Sequence, residues 1–285
     1  MYEIYAPAAP LRPFIECFWF LRADITPPAR LEEIVFSDAR ADLVFSFGAP
    51  YLRCRTDQPA QSEHIAISNL DAQRRYPVHI VQQGQIHLVG VRFRPGGLST
   101  LLPLPVYELA GLTFSLRDSF EKDGAELEER LFEAADQRHF QLDLLNTFFL
   151  PRCAVSPEYT LVMHMASVIE QRHGAITMTD LSRSYGYSIR TLDRLFQQVI
   201  GLPPKFYART VRFRSILDYL AQHPDATWPD LAPTYGYYDQ SHLTKEFISL
   251  TGLSPNQYLA RLQRRAHMSP PNHVQFLQDK PEHTR

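Results

Sequence analysis

The sequence predicts an α+β N-terminal domain, β-barrel-like strands followed by helices, joined to an all-α domain of two helix-turn-helix units. Three observations carry this. Residues 41 to 48 ("ADLVFSFG") and 77 to 97 ("PVHIVQQGQIHLVGVRFRPGG") are rich in Val, Ile and Phe and bounded by Gly and Pro, the composition of strands. From Leu98 to Phe149 the apolar residues change to helical spacing. From Tyr159 onward only helical patterns occur, and one of them appears twice.

Taken in order, the first 95 residues read as β. Gln82-Gln83-Gly84-Gln85 separates two alternating runs and suggests a hairpin. The most apolar early run, "FIECFWFL" from Phe14, is interrupted by Glu16; it is too short to span a membrane and lacks signal-peptide flanks. A helical stripe follows: Leu127, Leu131, Ala134 and Ala135, then Leu144, Leu145 and Phe148. The helices within 116–149 either pack on the β domain or pair with a second chain as a homodimer, and the sequence leaves both open. Residues 1–150 thus form a β-rich domain with C-terminal helices, and 151–158, without periodicity, a linker. Residues 159–267 form the helical domain and 268–285 a polar, Pro-containing tail.

Hydrophobic content of 45% and charged content of 21% suit a globular chain with a substantial core. The net charge of −2 hides an asymmetry: residues 1–157 carry 15 Lys/Arg against 20 Asp/Glu, residues 158–267 carry 12 against 9. A mildly basic C-terminal part is compatible with nucleic acid but does not argue for it unaided. Cys17, Cys54 and Cys153 are odd in number and form no CxxC pair, which points to reduced thiols and a cytoplasmic location. His64, His79 and His87 show no HxH pair with a following Glu, so no metal is expected. GxSxG, HExxH, the P-loop and the dinucleotide fingerprint are all missing, so neither enzymatic activity nor a cofactor is expected.

The duplicated stretches are "SYGYSIRTLDRLFQQVIG" (184–201) and "TYGYYDQSHLTKEFISLTG" (234–252). Gly186-Tyr187 matches Gly236-Tyr237 at an offset of 50; Leu192, Phe196, Gly201, Pro204 and Tyr207 match Leu243, Phe247, Gly252, Pro255 and Tyr258 at 51, so one residue is inserted at the turn. Each copy has a short helix ("TDLSRSY", "PDLAPTY"), a turn glycine suited to a left-handed conformation, and an N-cap, Ser188 or Asp239. The helix that follows puts Leu192, Phe196 and Val199, or Leu243, Phe247 and Leu250, on one face. The opposite face is polar: Arg190, Thr191, Asp193 and Arg194 in the first copy, Gln240, Ser241, Thr244 and Lys245 in the second. Arg suits guanine, Gln suits adenine, Thr can touch a thymine methyl and Asp can accept from cytosine. The segment Pro204–His223 can form a connecting rod of roughly 30 Å, near the ~34 Å between successive major-groove faces on one side of B-DNA.

Residues 159 to 265 resemble the AraC/XylS family of bacterial transcription regulators. Gly186-x-Ser188-x-x-x-Leu192-x-Arg194-x-Phe196 is similar to the family's first motif. Gly236-Tyr237-x-Asp239-x-Ser241-x-Leu243-x-Lys245-x-Phe247, followed by Gly252-x-x-Pro255-x-x-Tyr258, is similar to its second. The resemblance implies a DNA-binding regulator that places Ser188, Arg190, Thr191, Asp193 and Arg194, then Gln240, Ser241, Thr244 and Lys245, at double-stranded DNA. Lys245 stands where the family usually has Arg, keeping the charge and losing the planar fork. Pro233 also departs from the pattern, lying inside the short second helix, where proline can cost ~3 kcal/mol.

The family plan further implies an N-terminal domain that binds a small effector, or one that serves only dimerisation or protein interaction. The run "VGVRFRPGGLSTLL" (89–102) is similar to a less characterised N-terminal type. Candidate ligand contacts are Trp19, Phe45, Phe47, His87, Arg92 and Arg94, with Arg92 and Arg94 on one side of a strand and His87 on the other. RNA polymerase joins the partners if the chain activates transcription.

Overall fold

The computed structural model describes residues 1–102, 104–223 and 228–266; the polar tail from 268 lies outside the described residues. Among the described residues ten antiparallel strands form two sheets. They are β1 Tyr2–Tyr5, β2 Ile15–Ile25, β3 Leu31–Val35, β4 Ala41–Ser46, β5 Tyr51–Arg55, β6 Gln58–Ile65, β7 Asn69–Asp71, β8 Val78–Gln82, β9 Gly84–Phe93 and β10 Thr113–Ser115. The larger sheet has the order β1-β2-β9-β4-β7-β10 and the smaller β3-β8-β5-β6. No strand is shared between them, so the strands make an open two-layer arrangement and not a closed barrel.

The composition of β2 follows from this layering. Phe18 and Phe20 join Leu43, Phe45, Val89, Val91 and Phe93 on the face covered by helices. Cys17, Trp19 and Leu21 join Val44, Ile86 and Leu88 on the face toward the smaller sheet. A strand buried on both sides reads as a continuous apolar run, hence "FIECFWFL". Trp19 lies flat over β9, where a Cβ on Gly90 would stand 1.8 Å from its ring. Any larger residue at 90 displaces the indole.

The expected hairpin at Gln82–Gln85 does not form. β8 pairs with β3 and β5, whereas β9 pairs with β2 along most of its length and with β4 on its other edge. With both edges of β9 occupied, β8 has no place beside it. Gly84, at φ 78°, turns the chain from one sheet to the other. Ile80 and Gln82 then face Leu88 across the gap between the sheets.

The helical region after Leu98 begins with two single 3-10 turns, Gly97–Thr100 and Val106–Glu108, and with β10. It continues as α1 Leu116–Glu133 and α2 Arg138–Phe149. Leu127, Leu131, Ala134, Leu144, Leu145 and Phe148 are buried against the larger sheet's core, and Ala135 is half-buried. The stripe that motivated pairing with a second chain is therefore covered by the chain itself.

The remaining helices are α3 Pro157–Gln171, α4 Met178–Tyr185, α5 Ile189–Ile200, α6 Pro204–Gln222, α7 Trp228–Thr234, α8 Gln240–Thr251 and α9 Pro255–Ala266. Ser156 caps α3 by accepting from Tyr159 N–H at 3.0 Å, with Pro157 at the first helical position. The core runs on past the 151–158 segment. Phe93, Leu98 and Val106 belong to the same cluster as Val162, Met165, Leu192, Phe196 and Tyr207. A second cluster joins Phe213, Ile216, Leu231, Leu243, Phe247 and Leu250 to Ile34 and Phe36 at the end of β3. Arg40 and Glu16 form a buried ion pair. Burial opposes the Glu16 carboxylate, yet Arg40 outweighs it and holds its pKa down at about 2. Among the described residues no helix is long and apolar enough to cross a membrane.

Candidate nucleic-acid interface

The two helix-turn-helix units are built from the duplicated residues. In the first, Thr177 caps α4 by accepting from Asp180 N–H at 3.0 Å, and Gly186 closes it at φ 71°. Nothing lies within 4 Å of a Cβ placed there, so the backbone conformation, not space, demands glycine. Ser188 caps α5 by accepting from Thr191 N–H at 3.1 Å. Leu192, Leu195, Phe196, Val199 and Ile200 are buried, and Gly201 ends the helix at φ 80°. In the second unit Gly236 takes φ 71°, Asp239 accepts from His242 N–H at 2.7 Å, and Gly252 ends α8 at φ 71°. The duplicated tyrosines explain another part of the repeat. Tyr207 packs on Phe196 at 6.1 Å between ring centroids, and Tyr258 on Phe247 at 5.4 Å.

Pro233 is accommodated. It is the sixth residue of α7, where it forgoes the bond to the Pro229 carbonyl only. The turn continues past it: Tyr235 N–H donates to Leu231 O at 3.0 Å and Tyr237 N–H to Ala232 O at 2.8 Å. The extra residue in this turn divides two tyrosines. Tyr237 turns inward, 5% exposed, and donates to Glu246 Oε1 at 2.7 Å, while Arg209 Nε donates to Glu246 Oε2 at 2.9 Å. Tyr238, beside the N-cap, is 93% exposed. Neither role was read from the sequence, although the change of offset from 50 to 51 marks the place.

Ser188, Arg190 and Arg194 are exposed on α5 and its cap, with Thr191 and Asp193 half-buried. Gln240, Ser241 and Lys245 are exposed on α8, with Thr244 half-buried. Arg190, Arg194, Gln240 and Lys245 make no hydrogen bond or ion pair among the described residues. Ser188 Oγ is engaged locally, 2.9 Å from Thr191 Oγ1. Each unit therefore presents a polar face on the first turns of its second helix, where side chains reach base edges in a major groove.

The six residues considered for a ligand do not come together. Trp19 lines a cleft between the sheets, with Tyr2, Leu21, Val44, Ile80 and Leu88 as further apolar wall. Its polar lining is Glu33, Asp42, Arg53, Asp71 and Gln82. Trp19 Nε1 donates to Asp42 Oδ1 at 3.3 Å. Arg92 stands behind Asp42, 2% exposed, its Nε and Nη2 donating to the carboxylate at 3.1 and 2.9 Å. Burial works against that guanidinium, but Asp42 prevails and raises its pKa. Phe45 is fully buried on the opposite face of the larger sheet. Phe47 packs between His87, at 5.3 Å, and Phe132, at 5.5 Å, on that same side, and burial lowers the His87 pKa. Arg94 donates to Arg12 O at 2.8 Å at the surface. The inward-facing Glu33, Arg53 and Gln82 were missed. A polar residue at an apolar parity within a strand was the available signal.

A model described as a helix-turn-helix domain matches residues 181–261, and one described as a domain of unknown function (DUF6597) matches residues 3–115. No curated protein matches the chain. Among solved structures, ToxT from Vibrio cholerae is 11% identical, with 85% of this chain and 98% of ToxT covered at a TM-score of 0.44. ToxT with bound unsaturated fatty acid is 14% identical, with 85% and 94% covered at 0.44. The AraC-like transcriptional activator CuxR is 10% identical, with 97% and 90% covered at 0.21. The matched helix-turn-helix domain and the two capped helix-turn-helix units of the structure coincide, so residues 181–261 carry a helix-turn-helix domain.

Proposed function

We propose that this chain is a transcriptional regulator of the AraC type that reads a bipartite operator with α5 and α8 in successive major grooves of one DNA face, under the control of a small effector in the N-terminal domain. The observation that supports the DNA part is the pair of matched, exposed polar faces on α5 and α8, in two units joined by α6. Its 19 residues give a rod of about 28 Å, close to one helical turn of DNA. Ser188, Arg190, Thr191, Asp193 and Arg194 read one subsite; Gln240, Ser241, Thr244 and Lys245 read the other. Action on DNA places the protein in the cytoplasm.

The cleft between the sheets supports the effector part. It is lined by an apolar wall with a few convergent polar groups, the make-up of small-molecule sites. Gln82, 6% exposed, lines it with a buried Oε1 that has no hydrogen-bond partner among the described residues. A small, largely apolar molecule carrying a hydrogen-bond donor satisfies that oxygen and stacks on Trp19. A fragment library of such compounds, followed by thermal unfolding, is expected to contain members that raise Tm. At a hundredfold excess over Kd the gain is about 2.7 kcal/mol, and Trp19→Ala or Gln82→Leu removes it. Tm values unmoved across the library favour the other reading, an N-terminal half that serves only protein interaction.

A further inference from the structure

The last carbonyls of a helix have no partner within it, and a buried helix end takes one from elsewhere. In both reading helices that partner comes from the N-terminal domain. Ile200 O, at the end of α5, accepts from Gln73 Nε2 at 2.6 Å, and Gln73 is 3% exposed. Leu250 O, at the end of α8, accepts from the Ser37 N–H at 3.4 Å, and Ser37 is 1% exposed. The glycines that stop the helices also let the N-terminal domain approach. A Cβ on Gly201 would stand 1.9 Å from Gln73 Nε2, and one on Gly252 2.7 Å from Thr56 Oγ1. Phe36, next to Ser37, packs on Phe213 and Tyr258 at 6.0 and 5.8 Å.

The two grips are tied together. Ser37 Oγ donates to the carbonyl of Arg74, the residue after Gln73. Arg74 is itself held by Asp71, by Gly111 O at 2.7 Å and by Thr113 Oγ1 at 2.6 Å. Segments 36–37 and 73–74 therefore form one cross-linked piece that holds the C-terminal ends of α5 and α8 at once. The strands that lead into them line the cleft, with Glu33 and Val35 on β3 and Asp71 on β7.

We infer that Gln73 and Ser37 are positioning residues for DNA reading: through this piece they set the separation and rotation of α5 relative to α8, and so the operator spacing the protein accepts. Helix α6 links the units and packs on both, through Tyr207 on Phe196 and Phe213 on Phe247, and the N-terminal piece braces their other ends. The inference rests on the reading that both helices enter DNA. Shifting one subsite by a base pair moves it by about 3.4 Å and about a tenth of a turn. A rigid yoke penalises that shift and a loosened one tolerates it.

The test uses the full chain, an operator selected by it, versions with the subsites one base pair closer or farther, and each subsite alone. Gln73→Met keeps the side-chain volume and removes the donor; Ser37→Ala removes the tie to Arg74 and keeps the backbone donor. With both variants folded by thermal unfolding, single-subsite affinity is expected to match the parent. The penalty for shifted spacing is expected to fall by about fivefold, the worth of one hydrogen bond. An unchanged penalty in both variants, or an equal loss on every DNA including single subsites, overturns the inference. A parent indifferent to spacing overturns it too while leaving the DNA reading intact; a parent that enriches no DNA overturns both.

Discussion

Asp42→Ala is expected to lower the stability of the protein by about 3–5 kcal/mol, because it leaves the Arg92 guanidinium buried without its carboxylate. Arg92 is 2% exposed and makes both of its hydrogen bonds to Asp42, which also accepts from Trp19. The Arg92 side chain is only 3% exposed, so solvent can compensate its charge little. Thermal or denaturant unfolding measures the loss. The double variant Asp42→Leu/Arg92→Met, which removes both charges, is expected to recover most of it, since breaking such a pair costs more than replacing it with apolar groups. A single Asp42→Ala variant as stable as the parent would show that the pair is not isolated from solvent.

On DNA the largest effects are expected from the exposed faces of the reading helices. Arg190→Ala and Gln240→Ala should each relax the preference at one base pair by about 1–3 kcal/mol, or up to roughly 150-fold, because each removes one bidentate readout. Competition binding against operators mutated one position at a time measures this. The first unit carries Arg190 and Arg194 and the second only Lys245 as a cation, so α5 is expected to contribute more to affinity and to its salt dependence. Larger losses on alanine scanning of α8 than of α5 would reverse that ranking.

The C-terminal half was legible because its structure is local. N-caps, turn glycines and apolar spacing at 192, 196 and 199 are written within a dozen residues, and the duplication repeats the statement. The layering of the strands was less legible. Residues 78–82 and 84–93 carry strand patterns, but nothing within them says that β2 and β4 occupy both edges of β9 and exclude β8. The hairpin reading failed for that reason. The ligand candidates suffered likewise: parity separated His87 from Arg92 correctly, yet which parity faces the cleft depends on where the helices α1 and α2 settle. Gln73 and Ser37 were invisible, since a glutamine after one strand and a serine after another become partners of helix ends only through tertiary packing.

The central claim, two reading helices in successive grooves, is tested most directly by selecting bound DNA from a random pool with the full chain. The expected product is a bipartite site whose two conserved blocks lie about one helical turn apart, 10–10.5 base pairs between centres. Enrichment of a single compact block, or of two blocks at unrestricted spacing, would contradict it.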